Sequence, residues 1–109
     1  MKFKTLGATS VLVIGLAACS GAAEEVSLDF LVQHSDSYKG RTLIVEGQVR
    51  GIDEPEHYWL EDDQYNRVGL SPGLQVKGYR DQAVRVTGRF EASSDKGRQL
   101  RVKQIETLE

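Results

Sequence analysis

Between Asp53 and Asp63 the chain places six carboxylates, those of Asp53, Glu54, Glu56, Glu61, Asp62 and Asp63, together with the imidazole of His57. Oxygen in such density suits calcium, which takes about six to eight oxygen ligands. The run lacks the Asp-x-Asp-x-Asp-Gly spacing that points successive side chains at one ion. An exposed acidic loop is therefore the expectation, with these six residues as weak cation ligands. Zinc lacks its usual donors, because the only histidines are His34 and His57 and the only cysteine is Cys19. Ser71, Ser93 and Ser94 sit among turn-forming residues without a Gly-x-Ser-x-Gly elbow. A Ser/His/Asp arrangement assembled in space stays open as the catalytic alternative. The glycines are scattered and none are grouped before a helix to cradle phosphate. These residues point to a non-enzymatic chain with no cofactor, a cation-binding or hydrolytic role for segment 53–63 being the rival. The remaining chemistry lies in four aromatic rings, Tyr58, Trp59, Tyr65 and Tyr79, which suit stacking on bases or sugars.

Cys19 gains meaning from its position. Lys2 and Lys4 precede an apolar stretch from Leu6 to Ala18, and small residues lead up to the cysteine. This is the pattern of an export signal, with a basic start, an apolar run too short for a permanent span, and a cut site. Leu16-Ala17-Ala18-Cys19 resembles the bacterial lipobox, in which the thiol receives a diacylglycerol and the chain is cut before the cysteine. The resemblance implies residues 1–18 as a signal peptide, and acyl chains, palmitate among them, that anchor the chain to a membrane through Cys19. Each buried methylene contributes about 0.8 kcal/mol, so several acyl chains hold firmly. Ser20 stands where an inner-membrane retention signal has aspartate, which favours the periplasmic face of the outer membrane. Residues 19–26, small and polar, are expected to form a flexible tether.

Cleavage before Cys19 leaves 91 of the 109 residues, enough for one small domain over 27–109. The precursor carries 14 basic and 16 acidic residues, and losing Lys2 and Lys4 gives a mature net charge near −4. That balance disfavours nucleic acid, whose binding relies on clustered Lys and Arg. Arg80, Arg85, Arg89, Lys96, Arg98, Arg101 and Lys103 alternate with apolar positions, as solvated strand faces do.

The elements that must position these groups follow from period. Ser27 is an N-cap for a short helix burying Leu28, Leu31 and Phe30, which stops before Tyr38-Lys39-Gly40. From Thr42 the period changes to two: Leu43, Val45, Gly47 and Val49 take one face, with Ile44 breaking the polar one. Two short strands, 57–61 and 67–70, flank the polar turn Asp62 to Asn66, and Leu74 to Arg80 is a connection or one helical turn. Ala83 to Ala92 turns Val84, Val86, Gly88 and Phe90 inward, and Arg98 to Leu108 supplies a fifth strand. Gly47 and Gly88 interrupt the two long strands and mark bends, which a small curved barrel requires.

The run Gly-x-x-Leu-Ile-Val-x-Gly-x-Val from Gly40, the segment Tyr58-Trp59-Leu60-Glu61-Asp62 and Ala83-Val84-x-Val86-x-Gly88 resemble the bacterial periplasmic OB-fold proteins. The resemblance covers about Tyr38 to Glu106 and implies a mainly β, five-stranded OB barrel preceded by one short α-helix. It departs from that pattern in having Asp63-Gln64-Tyr65-Asn66 where a clear Asp-Gly turn is usual. OB-type binding uses the face around the second and third strands, so Trp59 points to ligand if Tyr58 and Leu60 point inward. Packing of Trp59 with Ile44 against the helix is the competing arrangement. The expected function is a membrane-anchored binding module for a protein or envelope component, with oligosaccharide or single-stranded nucleic acid as the alternative.

Overall fold

The structure, a computed structural model, describes residues 22–108. The expected signal peptide and the expected lipidation site at Cys19 lie outside the described residues. Six strands, β1 (Glu24–Glu25), β2 (Thr42–Asp53), β3 (Glu56–Glu61), β4 (Arg67–Ser71), β5 (Ala83–Ser93) and β6 (Gly97–Thr107), form one sheet. Short helices α1 (Leu28–Gln33), α2 (Ser35–Tyr38) and α3 (Gly73–Val76) and a 3-10 turn (Lys77–Tyr79) complete it. The order is β1-β2-β3-β4-β6-β5, and β5 pairs back onto β2, closing five strands into a ring. The β4–β6 pairing is parallel and the other ring pairings are antiparallel. This is the OB barrel.

Period-two alternation carries through to the core. Leu43, Val45 and Val49 of β2, Val84, Val86 and Phe90 of β5, and Leu100 of β6 are fully buried. Gln48 is where β2 changes partners: up to it the strand pairs with β5, and from it onward with β3. Gly47 stands at this changeover because a Cβ there would lie 2.9 Å from the carbonyl oxygen of Glu61. At Gly88 the β5–β6 register shifts, and a Cβ would come within 2.7 Å of the Arg101 carbonyl oxygen. Both glycines thus mark strand irregularities, one at a bend and one at a bulge.

The Ser27 side chain accepts the Phe30 N–H at 3.1 Å and starts α1, whose Leu28 and Leu31 close one end of the barrel against β2 and β4. Phe30, expected inside, is 47 % exposed. It lies about 200° around the helix from Leu28, off the single stripe that six residues present to the core. It packs instead on His34 at 4.2 Å between ring centres. The tether boundary also needs correction. Glu24 and Glu25 pair in parallel with Leu43 and Ile44, the Val26 N–H donates to Ile44, and Val26 packs on the core. The folded part therefore begins at β1, because the first half of β2 offers an edge that β3 does not cover.

Candidate functional site

Trp59 stands on the outer face of β3, since its neighbours Tyr58 and Leu60 are buried in the barrel. Across the sheet it pairs with Arg50 of β2 and Gly69 of β4, and Gly69 pairs with Gln99 of β6. Its indole N–H donates to Glu61 Oε1 at 2.9 Å. The same oxygen lies 3.0 Å from Arg67 Nε, and the Glu61 side chain is only 10 % exposed. One nearly buried carboxylate thus fixes both groups. The Arg67 guanidinium lies over the indole, 4.8 Å from the ring centre, a cation–π contact. His57, two residues back along the strand, packs tilted against the ring at 5.6 Å. The competing arrangement, Trp59 with Ile44 against the helix, does not occur. Ile44 is covered by β1 and Val26.

A groove of about 390 Å³ runs past Trp59, lined also by Ile52, His57, Arg67, Lys96, Arg98 and Gln99. It continues into a second depression of about 540 Å³ that shares His57, Lys96 and Gln99 and reaches Tyr58, Pro72 and Leu74. The floor is smooth at Gly69, where a Cβ would strike the Gln99 side chain. The groove therefore lies over β3 and β4, between the β2–β3 turn and the β5–β6 hairpin. That is the face OB barrels use for ligands.

The four aromatics do not form one surface. Tyr58 points into the core and donates its hydroxyl to Glu56 at 2.8 Å, an interaction that raises its pKa and is reinforced by burial. Tyr79 packs on the core from the 3-10 turn. Tyr65, 75 % exposed, sits with positive φ in the β3–β4 turn. That turn dispenses with Asp-Gly because Asp62 accepts the N–H groups of Gln64 and Asn66, both at 2.9 Å. Trp59 alone reaches the groove from its outer face.

The acidic segment is dispersed. Asp53 pairs with Arg80 at 2.8 Å, Glu56 accepts from Tyr58, Glu61 holds Trp59 and Arg67, and Asp62 organises its own turn. Among the described residues no three His, Cys, Asp or Glu side chains converge on a point where a metal could sit. No described helix is long and apolar enough to cross a membrane.

The groove's cations escaped the sequence reading. Lys96 and Arg98 have the alternation of solvated strand positions and Arg67 only opens a short strand, because nothing local shows that the β5–β6 hairpin meets β4. The one available signal was the OB resemblance, which marks the loop between the fourth and fifth barrel strands. Nor does net charge describe this groove, whose lining holds three cations, with Glu61 nearly buried beside Trp59 and Arg67.

Comparison of the whole structure finds similar folds of distant sequence. An aspartyl-tRNA synthetase from Leishmania major Friedlin matches with a TM-score of 0.56 and 13 % identity, over 90 % of this chain. The chain spans 25 % of that synthetase. Replication protein A of U. maydis, solved bound to single-stranded DNA, matches with a TM-score of 0.53 and 19 % identity, over 80 % of this chain and 73 % of its own. At these identities the likeness is one of fold. No protein-family model matches the chain, and no curated protein does.

Proposed function

We propose that this protein is a lipid-anchored, non-enzymatic OB-fold binding module at the periplasmic face of a bacterial outer membrane, which holds an envelope macromolecule in the groove beside Trp59. The observation that carries the reading is the groove itself, a formed concavity on the ligand face of the barrel with an aromatic anchor locked at its centre. The arrangement suits binding, because Ile52, His57, Arg67, Lys96, Arg98 and Gln99 line the groove around Trp59 with no hydroxyl or thiol among them. Anchorage rests on the lipobox-like Leu16-Ala17-Ala18-Cys19. With β1 bound to the barrel at Ile44, the groove at Ile52 lies eight residues further along β2, up to about 26 Å of strand.

The test is photo-crosslinking in growing cells from position 52, with position 103 as the control. A discrete adduct from 52 that disappears in Trp59→Ala, at a melting temperature near the parent's, supports the binding face. A large loss of stability in Trp59→Ala, with adducts indifferent to position, means that Trp59 serves packing and refutes the reading. Cys19→Ser is expected to move the protein from the membrane fraction to the soluble fraction, and retention on the membrane would refute the anchor.

Single-stranded nucleic acid is the second reading, favoured by the groove's three cations and by the DNA-bound structural neighbour. A steep fall of oligonucleotide affinity with salt is its signature.

A further inference from the structure

We infer that the groove beside Trp59 takes an acidic peptide, an extended segment of a partner protein in which carboxylates alternate with aliphatic side chains. The inference rests on the binding-module reading and names the ligand class of that site.

Charge is the first argument. Seven of the eight arginines have a carboxylate within 4 Å among the described residues, and the exception is Arg98 in the groove. Lys96 beside it pairs with no described carboxylate either. Arg67 is positioned rather than consumed, since Glu61 engages its Nε while the side chain as a whole remains 57 % exposed. Because β4 and β6 run parallel in register from Gly69 and Gln99, Arg67 comes alongside the Lys96-Gly97-Arg98 turn. Three cations, from β4, β6 and the turn before β6, therefore line one groove, with Glu61 nearly buried beside Arg67. By contrast, the depression beside β1 is lined by Glu25, Glu46 and Asp62 and by no base. Of these two surfaces, the groove is the positive one.

Aromatic geometry separates a peptide from the other polyanions. Bases and sugars stack on open ring faces, and such stacking carries much of their affinity. Arg67 of β4 lies over the Trp59 ring and His57 packs beside it along the strand, Tyr58 is buried, and Tyr65 lies in the β3–β4 turn outside the groove. The groove thus offers a single ring with a cation already over one face, together with guanidinium groups, which bind carboxylates through paired N–H donors. Its rim adds two exposed aliphatic side chains, Ile52 at 44 % and Leu74 at 81 %. An extended chain places alternate side chains on one face about 6.6 Å apart, so its acidic residues meet the cations while its apolar ones meet the rim.

Trp59 is the only tryptophan in the protein, and its emission therefore reads the groove directly. The full chain in neutral detergent micelles is titrated with a capped six-residue peptide of alternating glutamate and valine. The same titration is run with the glutamine-valine peptide, with a ten-residue oligothymidylate and with polygalacturonate. The expected result is a saturable emission change with the acidic peptide, at least about tenfold tighter than with its glutamine counterpart. Arg98→Glu is expected to weaken it about tenfold or more, and Lys103→Glu, outside the groove, less than about twofold. Equal binding of the glutamine peptide, or an unaltered affinity in Arg98→Glu, overturns the inference. Tighter binding of the oligothymidylate or polygalacturonate overturns it too, while leaving the binding-module reading in place. No response to any probe also overturns the acidic peptide. The crosslinking from position 52 then decides the wider reading separately, since a discrete adduct there requires a ligand of another class.

Discussion

Replacing Glu61 with alanine tests whether the Trp59 site is held together as the geometry implies. The carboxylate is 10 % exposed and accepts from Trp59 Nε1 at 2.9 Å, with Arg67 Nε paired to it at 3.0 Å and Arg50 at 3.9 Å. A hydrogen bond to a charged group contributes about 1.5–3 kcal/mol. The Arg67 pair is discounted to about 0.5 kcal/mol because the arginine side chain is more than half exposed. Arg50 already has Asp81 at 3.0 Å and adds little. Removing a nearly buried carboxylate also relieves its desolvation, which offsets part of the loss. The net expectation is about 2 kcal/mol, or a melting temperature lower by about 8–16 °C in a domain of this size. Trp59 emission is expected to shift to the red as the ring loses its donor contact and Arg67 moves away. Glu61→Gln keeps an acceptor for the indole and is expected to cost about half as much. Thermal unfolding followed by circular dichroism, with emission spectra of the native state, reads both effects. A melting temperature within about 2 °C of the parent and an unmoved spectrum in Glu61→Ala would show that Glu61 does not hold the site.

Three further outcomes follow from the same structure. Gly88→Ala should lower the urea midpoint by the equivalent of about 2–3 kcal/mol, because its Cβ meets the Arg101 carbonyl, whereas Gly78→Ala, with open space around it, should be neutral or slightly stabilising; equal effects would contradict the close approach of β5 and β6. For Asp62, burial acts to raise the pKa, but hydrogen bonds from the Asn66 side chain and from the backbone N–H groups of Asn66 and Gln64 outweigh it and hold the carboxyl below the usual aspartate range. A folded-state pKa below the unfolded one gives stability that is full above about pH 4 and is lost as pH falls through the lowered value. Asp62→Asn should therefore be less stable at neutral pH, with a shallower fall on acidification, and a parallel fall in both proteins would argue against this role. Val26→Asp places a charge against the core and should cost about 1–2 kcal/mol in urea unfolding; no change would mean that β1 is not part of the folded unit.

The strands were legible because their signal is local. Alternate burial of Leu43, Val45 and Val49, or of Val84, Val86 and Phe90, follows from a period that each segment carries in itself. Ser27 could be read as a cap because its partner is three residues away. Glu24 and Glu25 could not be read as a strand, since two exposed acidic residues acquire a partner only when β2 leaves an edge open. The four aromatics looked alike in sequence and separated in space, with Tyr58 going inside, Tyr65 to a turn, Tyr79 to the core margin and Trp59 to the groove.

The sequence alone thus determined a mainly β chain with glycine-marked irregularities at Gly47 and Gly88 and a cap at Ser27, because backbone sterics and side-chain alternation act between near neighbours. Only the tertiary structure decided that Trp59 of β3, Arg67 of β4 and Arg98 of β6 share one groove. That meeting depends on the parallel closure of β4 onto β6, a contact between segments some thirty residues apart. No local period encodes such a pairing, which arises when the whole apolar face of the sheet is buried at once.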